Sequence, residues 1–371
     1  MKLGVTSSIQ EATDAYERWL GGHMRLIAAD LEQKHVRMRA AIFPFMRATF
    51  YRWCQLWRAL APAEQALTRV SAVADLHLEN FGTWRDLEGR LVWGVNDFDE
   101  ATTLGWSQDL ARLATSAHLA IADQHLHLRR RDATAALLEG YREGLVGGPR
   151  PYALEERNTW LRRVATNKLR DPVVFWAKMD ALRPARAPDP DALAVLADAM
   201  PEKGPDARIC RRVAGMGSLG RPRFVAIAEW RGGRIAREAK ATAPSAWLWA
   251  TGRTPGRATA AAASADPTVR RVGAWVVRRL APHCTRIELA DLPRERDEER
   301  LLAAMGFETA NIHLATRGAR EPLGRELRAR AGSRWLNELA KRFTDAIARD
   351  WRLFRAGERL PARTHNRKRG R

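Results

Sequence analysis

Asp75 and Asn80 lie at the two ends of one short stretch, Asp75-Leu-His77-Leu-Glu-Asn80, and a second stretch, Asn96-Asp97-Phe98-Asp99-Glu100, follows soon after. Oxygen-bearing side chains without Cys or a His pair suit a hard cation such as magnesium. Phosphoryl transfer needs such ligands to hold the metal on phosphates, and a carboxylate to orient or deprotonate the attacking hydroxyl. Asp75 is the candidate for the carboxylate. Asn80 and Asp97 are candidate metal ligands, with Asp99 as a second carboxylate for the ion. Any one of them taken alone reads better as a turn residue bonded to its own backbone. The ordered string as a whole favours the chemistry.

Two elements must bring the stretches together. Residues 70–74 suit a short buried strand, so Asp75 leaves a strand end. Phe81–Trp84 and Leu91–Val95 flank Asp86-Leu-Glu-Gly89, which reads as a hairpin turn returning the chain to Asp97. Residues 8 to about 62 predict helices punctuated by Pro44 and Pro62. Ser107 is expected to cap a helix reaching about His127, with Leu110, Leu113, Ala114, Ala117 and Ile121 on its buried side. Further helices are expected near 132–146, 152–168 and 171–182. Residues 183–206 carry five prolines and read as a linker or an excursion. Strands are expected at 209–213, 224–230 and 234–240, the last two joined at Gly232-Gly233. A helix is expected at 267–280 and a strand at 285–289.

The motif order, Asp-x-x-x-x-Asn, hairpin, Asp-Phe-Asp, is similar to the catalytic loop and metal-binding segment of protein kinases, and more so to those of aminoglycoside phosphotransferases. The fuller string, through Asp109-Leu-Ala-Arg-Leu113, resembles the bacterial family called domain of unknown function 2252, which is grouped with kinase-like proteins. Phe43-Pro-Phe-Met-Arg47 resembles a motif near that family's N-terminus, which makes Arg47 a supporting residue. Ala74 stands where relatives usually have Gly. The resemblance implies that Asp109 holds the catalytic loop, a role compatible with a carboxylate in the first turn of a helix. His77 reads either as a phosphate contact or as a structural histidine that positions the loop.

Gly215-Met-Gly217-Ser218-Leu-Gly220 is followed by strand-like sequence rather than a helix. That argues against a dinucleotide-binding turn. It matches the kinase arrangement, in which backbone amides cover nucleotide phosphates. Lys240, one hairpin later and one of only eight lysines among 63 basic residues, then corresponds to the nucleotide lysine, with a solvated strand-end lysine as the alternative. A kinase pairs that lysine with a Glu on the next helix, yet residues 258–283 contain no glutamate. The glycine loop also follows the catalytic-loop motif instead of preceding it. The fold expected is therefore α+β, a protein-kinase-like two-lobe fold, circularly permuted, with a small antiparallel β lobe and a mainly helical lobe. Residues 1–182 and 292–356 would build the helical lobe, 183–206 the linker, 207–291 the nucleotide lobe and 357–371 a basic tail. The segment 306–315 would be the long helix that normally precedes a catalytic loop.

The 371 residues and 46% hydrophobic content allow a large core. No run of apolar residues is long enough to span a membrane, and residues 1–19 lack the central apolar segment of a signal peptide. Cys54, Cys210 and Cys284 are too scattered for a disulfide framework or zinc site. The expectation is a cytoplasmic protein without a membrane role. A net charge of +20 attracts anions, including nucleotides. The expected activity is transfer of phosphate from Mg-ATP to a hydroxyl of a small molecule or protein, with AMP transfer as a variant. The alternatives are a nucleotide-binding scaffold without catalysis and a basic nucleic-acid-associated protein.

Overall fold

Ser8 opens the first helix. Its Oγ accepts from the Glu11 N–H at 3.2 Å, and the Glu11 carboxylate accepts from the Ser8 N–H at 2.7 Å, so helix α1 (Ile9–Gly21) begins with two end donors satisfied. In this computed structural model the described residues are 7–165, 171–202, 206–253, 266–282, 284, 286, 288, 289, 292, 297–330, 332 and 334–357. The basic end at 361–371, residues 166–168 of the expected helix and parts of the expected strand at 285–289 lie outside them.

The N-terminal helical stretch is four helices: α1, α2 (Ala28–Ala40), α3 (Ile42–Ala48) and α4 (Phe50–Leu60). Extended backbone at Ala41 and irregular backbone at Thr49 divide the last three. Strand β1 (Arg69–Ala72) pairs antiparallel with β4 (Thr102–Gly105). The hairpin of β2 (Phe81–Arg85) and β3 (Leu91–Val95) pairs Phe81 with Val95, and β5 (Tyr152–Ala153) adds a third strand beside β3. Helix α5 (Ser107–Ala122) runs through the centre, buried over nearly its whole length. It starts at Ser107 itself, with Trp106 as the flanking residue and no side-chain cap. The Ser107 Oγ is buried without a partner. The expected serine cap is thus corrected, and the helix stops at Ala122 rather than His127.

Helices α6 (Arg130–Gly147) and α11 (Glu298–His313) cross at near backbone contact. Gly140 faces the Ala303 carbonyl and Gly306 faces the Leu137 carbonyl, so closely that neither site has space for a Cβ. Helix α12 (Arg320–Arg328) follows. Helix α13 (Arg334–Ala356) then lays Leu336, Leu339, Phe343 and Ile347 onto the core. Phe343 stacks on Trp53 at 3.8 Å, and Arg52 pairs with Asp350 at 2.8 Å. The N-terminal helices and α13 thereby share one large core.

The second unit is a five-stranded antiparallel sheet, order β6-β7-β8-β10-β9, formed by β6 (Arg208–Arg211), β7 (Arg223–Trp230), β8 (Gly233–Ala241), β9 (Arg270–Val272) and β10 (Trp275–Leu280). The β7–β8 turn residues are Arg231 and Gly232, at φ +48° and +79°. A two-residue turn with both φ positive matches the twist of paired strands. The helix expected at 267–280 is instead the β9–β10 hairpin. Gly273, at φ +56°, turns the chain, and Trp275 and Val277 are buried on one face with the two-residue spacing of a strand, while Leu280 is buried on the other. Within 183–206, helix α9 (Pro190–Asp198), capped by Asp189, packs Ala192 and Leu196 onto Phe224, Ala239 and Trp275. Helix α8 (Pro172–Asp180) covers the other face with Phe175 and Met179. The helix expected at 152–168 is corrected: Tyr152–Ala153 pairs with β3 as β5, a turn follows, and among the described residues only α7 (Thr159–Ala165) is helical; short α10 (Ala246–Thr251) completes the elements. The architecture is α+β with antiparallel sheets.

Candidate functional site

Helix α5 organises the loop that follows β1. Asp109, fully buried in its first turn, accepts from the N–H of Val73 at 2.7 Å and of Ala74 at 2.8 Å. Behind it, His313 Nε2 lies 3.2 Å from Asp109 Oδ2 and His313 Nδ1 lies 2.9 Å from the Tyr141 hydroxyl. Ala74 is held at φ +74°, a conformation glycine adopts without cost. One helical turn beyond Asp109, Arg112 reaches Asp75: its Nε and Nη2 both donate to Oδ1, at 3.0 and 2.7 Å. Arg112 also donates to the Met46 carbonyl and lies over the rings of Phe50 and Trp53. Burial raises the Asp75 carboxyl above the usual range, and Arg112 opposes that rise. One turn of one helix therefore holds both the backbone and the side chain of this loop.

Asn80 ends a short 3₁₀ turn (Leu78–Asn80). Its Oδ1 accepts from the His77 N–H at 2.6 Å, and its carbonyl accepts from the Asn96 N–H at 2.9 Å. His77 thus positions the loop through its backbone. Burial keeps its imidazole neutral, with Arg47, Arg112 and Arg286 adding to the effect. The register Phe81↔Val95 returns the chain so that Asp97 follows directly beside Asn80. Arg47, on α3, pairs with Glu79 of the same loop, and Glu79 also accepts from the Leu289 N–H at 3.2 Å.

The glycine loop comes from the sheet unit and docks on the large core through Met216 and Leu219, both buried. Gly217, between them, lies over the site: a Cβ there would be 3.2 Å from the Arg47 carbonyl and 4.0 Å from Asp75 Oδ2. Gly220, at φ +95°, abuts Leu31, and its carbonyl accepts from the Ile27 N–H at 2.9 Å. Gly220 is therefore a docking point rather than part of the pocket lining. Gly215, at φ +80°, lies against Ser218, whose Oγ accepts from Arg223 Nη2 at 2.7 Å. Arg47, Asp75, His77, Asn80, Asp97, Asp99, Gly215, Gly217 and Ser218 line one pocket.

Lys240, on β8, pairs with Asp99 and stands 3.9 Å from Asp97 Oδ1. Its partners are these two aspartates rather than a Glu on a following helix. Burial alone would raise the Asp97 carboxyl, but Lys240, Arg286, Arg278 and Arg223 outweigh it and hold it down at about 2. Asp97 is also the most open of the acids here, with 37% of its side chain exposed against 18% for Asp75 and 15% for Asp99.

Several site residues carried no signal that singled them out. Glu238 lies two residues before Lys240 on the same strand and is buried. It takes Arg223 at 3.0 Å, Arg278 at 2.8 Å and Arg212 as partners. Burial opposes its charge, yet these guanidinium groups and Lys240 keep the carboxyl well below the usual range. Arg221 faces Glu100 at 3.5 Å. The i, i+3 spacing of Asp109 and Arg112 could have identified Arg112, because both fall on one helix face. The other arginines could not have been picked out of so arginine-rich a sequence. Trp249 packs edge-on against Tyr16 and Tyr51, 5.3 and 5.8 Å between ring centroids, and Trp247 is partly buried against the same core.

Among the described residues no helix is long and apolar enough to cross a membrane, and no group of three or more His, Cys, Asp and Glu could hold a metal. Residues 25–177 match the model of a family described as an uncharacterized protein conserved in bacteria, domain of unknown function 2252. The matched segment includes Arg47, Asp75, Asn80, Asp97, Asp109 and Arg112 and stops before the glycine loop and Lys240. No curated protein and no solved structure matches the chain.

Proposed function

We propose that the protein is a phosphotransferase of the protein-kinase-like class, using Mg-ATP and a circularly permuted order of parts. The observation that carries this reading is the convergence of three separate chain stretches. The loop from Asp75 to Asn80, the Asp97–Asp99 segment and the 215–220 loop share one pocket, with Lys240 paired to its acids. In this reading Asp75 orients or deprotonates the acceptor hydroxyl through Oδ2, because Oδ1 is occupied by Arg112. Asn80 and Asp97, with Asp99, are the groups that would hold magnesium. The all-oxygen donor set fits that ion, which commonly takes only one or two carboxylates and fills its shell with waters and phosphate oxygens. Magnesium, when bound with ATP, would neutralise charge on the transferring group. The glycine loop and Lys240 hold the nucleotide phosphates, while Asp109 and Arg112 keep Asp75 in place. AMP transfer would use the same residues.

A nucleotide-binding scaffold is the second reading. It draws on the Arg112–Asp75 pair, which reduces the carboxylate's capacity to take a proton. Turnover of ATP separates the two.

The first test is thermal unfolding with and without Mg-ATP, beside Asp97→Ala. Ligand at about 100 times its Kd stabilises by roughly 2.7 kcal/mol, a rise of about 2–4 °C in Tm for a chain of this size. The expected result is a magnesium-dependent rise that the variant loses. A wild-type Tm indifferent to Mg-ATP would reject the proposal.

A further inference from the structure

The acceptor's chemistry can be read from the lining of the pocket around Asp75. Two arginines stand there, Arg47 on α3 and Arg286. Arg47 is fixed by Glu79 within the loop. Arg286 is fixed beside β2 by a backbone bridge between its own residue and Gly82. Both line the pocket together with Asp75. The Arg47 Nε is buried and has no acceptor, and a buried donor left unmade is unfavourable. Two partly buried guanidinium groups on one pocket also repel. Burial first, and Arg47 next, push the Arg286 guanidinium down to about 10. An oxyanion between them would satisfy the orphan donor and relieve the repulsion, because guanidinium forks match carboxylate and phosphate oxygens. The sheet supplies further cations, Lys240 paired to Asp99 and Arg223 bonded to Ser218 of the glycine loop.

We propose that Arg47 and Arg286 form an oxyanion subsite beside Asp75, so that the acceptor hydroxyl belongs to a molecule that also carries a phosphate or carboxylate group. This rests on the phosphotransferase reading. It excludes polycationic acceptors such as aminoglycosides, which two guanidinium groups would repel.

The test is calorimetric titration of inorganic phosphate into the full chain, alone and after saturation with Mg²⁺ and a non-hydrolysable ATP analogue. The titration is repeated with Arg47→Gln and Arg286→Gln. Phosphate is expected to bind with the nucleotide already in place. Each variant should weaken phosphate about tenfold or more, the loss expected for a charge-assisted bond, and weaken the nucleotide by much less than that. Should Arg47→Gln not unfold cooperatively, Arg47→Lys retains the charge without the fork, and the same weakening of phosphate is expected. Nucleotide affinity falling alongside phosphate affinity would assign the arginines to the nucleotide's own phosphates and overturn the proposal. So would absence of phosphate binding in the wild type, or binding unaffected by either variant. Phosphate bound through both arginines with no nucleotide binding at all would uphold the oxyanion subsite and overturn the phosphotransferase reading instead.

Discussion

Ala74 concentrates the tension of the site in one residue. A non-glycine residue in left-handed backbone costs about 1–2 kcal/mol, and Ala74 adopts φ +74° immediately before Asp75. Two bonds from its own and the preceding N–H to Asp109 hold it there. Ala74→Gly removes the strain but gives the unfolded chain more freedom, which offsets about 0.4–1 kcal/mol. The strain is the larger of the two, so the variant should be more stable by about 0.5–1 kcal/mol in urea unfolding. An unchanged or lower midpoint would show that the loop carries no such strain. Asp75, Asn80, Asp97 and Asp109 were legible in the sequence because their identity and spacing are local. The pairing of Arg112 with Asp75 was not, because it depends on how α5 packs against the β1 loop. The partners of Lys240 were hidden for the same reason: Asp97 and Asp99 lie far away in sequence and meet it only when the sheet unit docks.

At the scale of elements, the sequence reading succeeded where one period dominates. The β2–β3 and β7–β8 hairpins and helices α5, α6 and α8 fall close to their expected places. It failed at 267–280, where Arg270-Arg-Val-Gly-Ala-Trp-Val-Val-Arg-Arg279 supports either period. Pairing with β8 decides for strand, since Trp275 and Val277 then bury against Phe224 and α9. Short apolar runs leave helix and strand undecided until a partner is chosen. The α6–α11 crossing is equally invisible from spacing, because Gly140 and Gly306 read as weak points of helices and serve instead to let two backbones meet. Gly140→Ala forces that crossing apart. It should lower stability by about 3 kcal/mol, the upper range for overpacking, although alanine is the better helix former. A guanidinium chloride midpoint no lower than wild type would contradict the packing described.

For the whole molecule, acid stability follows from two neutral histidines. His118 is pushed down to about 4, chiefly by burial and secondarily by Arg130, and His77 is pushed further in the same direction. The unfolded chain, with histidines near 6.5, takes up protons first as pH falls. Their contribution is therefore intact above about pH 6.5 and is lost on acidification towards the folded values. Stability should fall by up to about 1.4 kcal/mol per pH unit for each histidine. Asp97 and Glu238, both held low, add a second loss below about pH 4. Urea unfolding between pH 3 and 8 should show both limbs, and His118→Gln should flatten the upper one. A curve level from pH 7 to 4.5 would refute the assignment. Helix α13 has one more consequence, and it concerns synthesis. The core around α5 is sealed by a helix made roughly 230 residues later, a delay on the order of 10–50 s at a ribosome adding ~5–20 residues per second. Throughout that interval the apolar surface awaiting Phe343 and Ile347 is bare. A nascent chain arrested before α11 should therefore be digested quickly by protease, and resistance at that length would mean that the first half closes its core unaided. The family-matched segment 25–177 is on these terms a part that waits for the rest, dependent on a holding chaperone or on speed.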